Sequence, residues 1–138
     1  MEVRHLTEEV AVSPQISVAD IEAIAAKGFR SVICNRPDGE SLDQPDYAEI
    51  EAAARKAGLE FRYQPIVGGQ LGIEDAEEFG KSLDELPRPI FAYCRSGTRC
   101  ATLWSLSQAG QLPADDILQS ARNAGYDMSA FADYLRSR

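Results

Sequence analysis

The chain has 138 residues and a mass of 15.1 kDa, which fits a single domain over residues 1–138 with a core that needs no disulfide or metal staple. Hydrophobic residues at 44% and charged residues at 26% exclude a disordered, collagen-like or membrane-spanning chain. Lys plus Arg number 14 against 22 Asp plus Glu, and the resulting net charge of -8 disfavours nucleic acid and anionic membrane surfaces as partners.

Strand and helix patterns alternate along the chain with no repeat or linker, which points to an α/β fold. Glu2, Arg4, His5, Glu8 and Glu9 crowd the N-terminus and leave no apolar stretch for a secretory signal, so a cytoplasmic location is expected. The first strand is expected at Val10–Val12. Ser17 followed by Asp20 is a capping-box pattern for a helix over 18–27, stopped by Gly28, with Val18, Ile21 and Ala25 facing the core. Phe29–Cys34 reads as a strand, 35–39 as a loop, and 45–57 as a helix striped by Tyr47, Ile50, Ala54 and Ala57. A strand over 59–66 and a break at 67–70 precede a helix over 74–86, whose Ala76, Phe79, Leu83 and Leu86 share one face. The apolar run Pro89–Tyr93 reads as a buried strand that delivers Cys94 to the carboxyl edge of the sheet, where open α/β sheets bind ligands. Helices over 98–109, 113–124 and 129–136 complete the chain.

Three cysteines, Cys34, Cys94 and Cys100, form no paired framework and suit a reducing compartment. With His5 the sole histidine, neither a metal nor an organic cofactor is expected. The chemistry concentrates in Cys94-Arg95-Ser96-Gly97-Thr98-Arg99, between an apolar strand and an apolar helix. A glycine turn that feeds a helix N-terminus gathers backbone N–H groups around an anion. A thiol at its base would have its pKa drawn from about 8.5 into the range of roughly 3.5–7.5 by those donors and by Arg95 and Arg99. Gly97 lets the backbone approach a substrate closely, and Arg99 offers a planar fork to an oxyanion. A lone cysteine at a strand end is commonly a core residue and an arginine commonly a surface charge. The order strand, Cys, Gly, Arg, helix is a compound pattern, and it favours an active loop.

With Cys first, Arg second, Gly fourth and Arg sixth, this loop resembles that of rhodanese-type sulfurtransferases, whose cysteine carries a sulfane sulfur as a persulfide. The segments Gly28–Arg36 and Tyr63-Gln64-Pro65-Ile66 resemble the dual-specificity tyrosine phosphatase fold instead. Val12–Ser17, Ile33–Glu40 and Tyr93–Arg99 with Ala101-Thr102-Leu103-Trp104 together resemble the bacterial phosphatase-like domain of beta-lactamase hydrolase-like proteins, a resemblance that covers nearly the whole chain. The resemblance implies a tyrosine-phosphatase-like α/β domain with a central, mostly parallel sheet of about four strands flanked by helices. It further implies work in sulfide and persulfide handling, with members alone or fused to a persulfide dioxygenase module. That module is longer than this chain and needs more histidine than His5, so a persulfide dioxygenase enters as a partner.

Three departures separate the chain from the phosphatase pattern. A tyrosine phosphatase loop has five residues between Cys and Arg, whereas here Arg99 comes one residue early and Cys100 stands in the arginine's place. The shorter cradle suits a sulfane sulfur better than a phosphoryl group with three equatorial oxygens. Tyr93 replaces the histidine that usually precedes the cysteine, and 67–70 offers Val-Gly-Gly-Gln where a general-acid aspartate is expected. Lacking that acid, expulsion of an alcohol from phosphorus slows by about 10²- to 10⁴-fold. Asp38, Glu74 and Asp75 are the stand-in acids, with solvated charge as their plainer reading.

The expected function is therefore sulfur transfer. Cys94 is the nucleophile and persulfide carrier, Arg95 and Arg99 orient an anionic donor, and the backbone of Ser96, Gly97, Thr98 and Arg99 steadies the thiolate. The partners are a small sulfur-containing anion or persulfide and a thiol acceptor. The alternatives are a phosphatase working through a Cys94 phospho-enzyme and a non-catalytic thiol redox sensor. Cys34 lies on the strand beside the nucleophile, either as a resolving thiol of the kind some relatives hold or as packing. Cys100 stands where the family places a small hydroxyl residue, as a vicinal thiol that accepts sulfur, resolves oxidation or turns into the core.

Overall fold

In the computed structural model, which describes residues 1–138, four strands pair side by side in parallel. They are β2 (Val10–Ser13), β3 (Ser31–Cys34), β4 (Glu60–Tyr63) and β5 (Ile90–Tyr93). A two-residue edge strand, β1 (Arg4–His5), adds antiparallel to β2 and makes a five-stranded sheet in the order β1-β2-β5-β3-β4. The expected four are thus the parallel ones, and β1 was too short to carry a periodicity. Every residue of β2, β3 and β5 is buried, as befits strands covered on both faces.

Alternation along each strand divides the side chains between two cores. Ile90 and Ala92 of β5 enter one core, with Val10, Val12 and Ile33; Phe91 and Tyr93 enter the other, with Ala11, Val32 and Cys34. The first core is capped by α3 (Ile73–Glu85), α4 (Thr98–Ser107), α5 (Ala114–Asn123) and α6 (Ala132–Arg136). The second is capped by α1 (Asp20–Ala26) and α2 (Tyr47–Lys56). Ala76, Phe79, Leu83 and Leu86 pack as their spacing predicts, and α4 buries Trp104 almost completely.

Some boundaries differ from the sequence reading. α1 buries Ile21 and Ile24 while Val18 stays 47% exposed, because the helix begins two residues later and Val18 falls before its first turn. Ala57 caps the end of α2 and points to solvent, leaving Ile50 and Ala54 as the buried pair. The fourth strand stops at Tyr63 because Pro65 has no N–H to continue the ladder, and only Gln64 and Ile66 bond onward to Cys34 and Asn35. The final helix opens as a 3-10 turn, Ser129–Phe131, before α6.

Candidate active site

Parallel register aligns Ser13 and Cys34 with Tyr93, and Tyr63 with Cys34, so all four parallel strands end at one level. The loops that follow them converge at the carboxyl edge, and β5, at the centre, contributes Cys94. Cys94 continues the alternation of Ile90 and Ala92, so its side chain enters the core beneath α4 and has 0% exposed surface. Its N–H donates to the Ser13 carbonyl at 3.3 Å, and the Gln15 N–H donates to the Arg95 carbonyl at 3.2 Å. These two bonds fasten the start of the loop to the end of β2.

One peptide then organises the loop. The peptide between Ser96 and Gly97 donates its N–H to Cys94 Sγ at 3.1 Å and accepts, at its oxygen, a bond from Tyr126 Oη at 3.1 Å. Gly97 has φ of +91°, and a Cβ there would lie 2.0 Å from Tyr126 Oη. Both the left-handed backbone and the close approach of Tyr126 therefore require glycine. The turn ends at the N-terminus of α4, where the Arg99 and Cys100 N–H groups of the first turn serve the sulfur.

Cys94 is held well below the usual thiol range, at about 6. The neighbouring Cys100 thiol is the largest single cause, and the N–H groups of Cys100, Gly97 and Arg99 add to it against the cost of burial. Cys100 itself is fully covered and burial pushes its thiol up, so it keeps its proton and acts as donor. Its Sγ donates to Asn35 Oδ1 at 3.2 Å.

Arg99 is clamped. Its two terminal nitrogens each donate to a Glu40 oxygen at 2.8 Å, and Nη1 donates as well to the Ile66 carbonyl at 2.8 Å. Arg36, only 4% exposed, donates from Nε to Glu40 at 3.0 Å and from Nη1 to Gln15 Oε1 at 3.0 Å. The Arg99 guanidinium, seconded by Arg36, holds the Glu40 carboxyl at about 2. Glu40 is therefore a fixed negative charge that orients an arginine, and it carries no proton to donate.

The expected residues are partly gathered. Cys94, Gly97, Arg99 and Cys100 meet around the sulfur. Arg95 is exposed and makes no side-chain hydrogen bond or ion pair; the expected backbone donors lower Cys94, Arg99 and the thiolate stabilise each other, and the Cys100 thiol adds a contribution that was not expected. The Thr98 N–H turns to Ser96 Oγ at 3.4 Å, and Ser96 Oγ donates to Thr98 Oγ1 at 3.0 Å, so these side chains brace each other. Cys34 shares the register of Tyr93 and so faces the opposite core from Cys94. Burial pushes its thiol up to about 11, and it donates to the Arg36 carbonyl at 3.3 Å.

The three stand-in acids have other surroundings. Asp38 Oδ1 accepts the Tyr47 N–H at 2.8 Å at the start of α2, and Asp75 Oδ2 accepts the Gly72 N–H at 2.9 Å at the start of α3. Glu74 is exposed on the first turn of α3 and makes no hydrogen bond. Sequence reasoning missed Glu40, Gln15, Asn35 and Tyr126 as parts of the site. Glu40, four residues after Arg36, carried a weak charge-spacing signal; Tyr126, beyond α5, carried none.

Residues 2–111 match the family described as beta-lactamase hydrolase-like protein, phosphatase-like domain. The beta-lactamase hydrolase-like protein of Agrobacterium fabrum is 32% identical over 137 residues, which are 98% of this chain and 32% of that protein. That of Xylella fastidiosa is 30% identical over 138 residues, 99% of this chain and 32% of that protein. The chain thus spans about a third of the length of the curated relatives it matches. Among solved structures, one described as a phosphatase candidate from Neisseria meningitidis is 37% identical, with a TM-score of 0.87 over 99% of this chain and 98% of that one. Tk-PTP in its active form is 17% identical with a TM-score of 0.72, covering 99% of this chain and 97% of its own, and it shares the fold. The architecture is that of the cysteine-based phosphatases. No helix is long and apolar enough to cross a membrane.

Proposed function

The chain belongs to the phosphatase-like domain family of the beta-lactamase hydrolase-like proteins, and we propose that it is a cysteine-dependent sulfurtransferase working through a persulfide on Cys94. One observation carries this reading: a thiolate stabilised at about 6 sits in a donor-lined loop where Glu40 is held ionised by Arg99, and where Asp38 and Asp75 bond to the backbone at the starts of α2 and α3. Such a site supplies a nucleophile and an anion cradle but no proton for a poor leaving group. Sulfur transfer asks for just that pair.

The thiolate of Cys94 attacks the sulfane sulfur of a donor such as thiosulfate. The donor's S–S bond breaks, sulfite departs with the bonding electron pair, and Cys94 becomes a persulfide anion. An acceptor thiolate then attacks the terminal sulfur, a new S–S bond forms on the acceptor, and Cys94 returns as thiolate. Charge and electrons balance with no external oxidant. The Gly97 N–H and the Cys100 S–H stabilise the anion on Cys94 at both ends of the cycle, and Arg99, steadied by Glu40, presents positive charge to the donor.

A second reading, hydrolysis of a phosphoester through a Cys94 phospho-enzyme, is supported by the phosphatase-like relatives and by the bidentate Arg99–Glu40 clamp. With no acid at hand it is restricted to leaving groups that depart as stable anions, such as nitrophenolate. Parallel turnover of wild type and Cys94→Ser with thiosulfate plus a thiol acceptor, and with an aryl phosphate, separates the two. Sulfur transfer lost in the variant, with negligible phosphate release, is the expected result. Cys94-dependent phosphate release without sulfur transfer overturns it.

A further inference from the structure

A cavity of about 500 Å³ opens beside the catalytic loop, with Thr98 and Arg99 at its loop end. From there it follows one face of α4, through Thr98, Thr102 and Leu106, for about 12 Å at the helical rise per residue. Leu71 and Ile73 at the start of α3, and Phe131 and Tyr134 of the C-terminal segment, supply its apolar lining together with Leu106. Thr102 turns its hydroxyl back to the Thr98 carbonyl at 2.8 Å, which satisfies its polar group within its own helix. Ile73 lies off the buried stripe of α3 and is 42% exposed, although the core does not need it.

Charge decides what such a cavity accepts. Arg99 is the only ionised side chain in the lining, and Glu40 already neutralises it through two 2.8 Å bonds. Beyond that loop end the lining holds no charged side chain, so a charge on the part of an occupant lying along α4 would lose its hydration and find no partner. A volume of this size suits a small organic body and exceeds what a bare inorganic anion needs.

We infer that this groove binds the apolar body of the substrate, so that the domain selects a sulfane-sulfur compound with one anionic head over the loop and a ring or short hydrocarbon along α4. The inference deepens the sulfur-transfer reading by naming the substrate class. Under it, a thiosulfonate with an aromatic body is preferred to thiosulfate and to persulfides of strongly charged thiols.

The test separates binding from turnover. Methyl-labelled Cys94→Ser protein is titrated with benzenesulfonate and with methanesulfonate and followed by NMR. Benzenesulfonate is expected to bind about tenfold tighter or more, with shifts at Ile73 and Leu106, since burial of a ring in an apolar site contributes at least that factor. Ile73→Ser, a change at a partly exposed position, and Phe131→Ala should each shrink the affinity ratio severalfold. In wild type, the ratio of kcat/KM for benzenethiosulfonate over methanethiosulfonate should fall in the same variants. Equal affinity for the two sulfonates, shifts confined to residues away from the groove, or shifts at Ile73 that follow protein concentration instead of ligand would each overturn the inference. Absence of sulfur transfer from any donor in wild type, with selective benzenesulfonate binding intact, would refute the proposed function and leave the groove assignment standing.

Discussion

Replacing Cys100 by alanine removes the thiol that is the largest single influence lowering Cys94, here taken to act as a hydrogen bond to the thiolate. A hydrogen bond to a charged group contributes about 1.5–3 kcal/mol, and one pKa unit corresponds to about 1.4 kcal/mol. Loss of this bond should therefore raise Cys94 by about one to two units from its value of about 6. The backbone donors of Gly97, Arg99 and Cys100 remain in the variant, which is why the rise stops short of an ordinary thiol. Thiolate absorbance near 240 nm, or the pH dependence of alkylation by iodoacetamide, reads the change directly, with Cys94→Ser as the blank. Cys34 does not interfere, since burial holds it at about 11. A Cys94 pKa still near 6 in Cys100→Ala would refute the reasoning. It would mean that the Cys100 proton rests on Asn35 Oδ1, 3.2 Å away, and that the backbone alone holds the thiolate.

The pH profile of kcat/KM should rise through about 6 as Cys94 ionises and show no second acidic limb near the usual carboxylate range, because Glu40 stays ionised down to about 2. Folding stability takes the same sign: a thiol depressed from 9.0 to about 6 contributes stability that is complete above the upper value and lost as pH falls through the lower. Urea melts between those limits should show wild type gaining on Cys94→Ala with rising pH, and parallel curves would count against a native thiolate. Gly97→Ala forces a Cβ to within 2.0 Å of Tyr126 Oη at a left-handed backbone, and should abolish turnover even where the fold survives by circular dichroism. Tyr126→Phe keeps the ring beneath Arg4 and loses the hydroxyl that bonds Ser96, so a stability loss of about 1 kcal/mol is expected in denaturant melts. Asp75→Asn and Asp38→Asn retain cap acceptors, and each should keep turnover within about threefold; a loss of about 100-fold in phosphate release from either would identify a general acid and favour the phosphatase reading.

The Cys34 position shows how a pairwise fact reverses a plausible expectation. On a strand adjacent to β5 it reads as a neighbour of the nucleophile, yet the register sets it opposite Tyr93, one residue out of phase with Cys94. Side chains one residue apart on a strand face opposite sides of the sheet. Cys34 accordingly packs beneath α1 and α2, while Cys94 and Cys100 lie beneath α4. Cys34→Ala should leave thiol-dependent turnover within about twofold of wild type in a direct assay.

From sequence alone came the α/β class, the order of the main elements, and the loop with the cysteine at its base, because these rest on local rules. Apolar periodicity marked α3 and β5, and Cys-x-x-Gly before an apolar helix marked the anion cradle. The family resemblance came from the same short segments. What only the tertiary structure decided depends on residues far apart in the chain. Glu40 reaches Arg99 across 59 positions and Tyr126 reaches Ser96 across 30, and no local pattern encodes either meeting. The surroundings of Cys94 were likewise decided by packing: burial keeps the proton on Cys100, whose thiol is the largest influence lowering Cys94, while Arg95 is left in solvent and Arg99 is turned to Glu40.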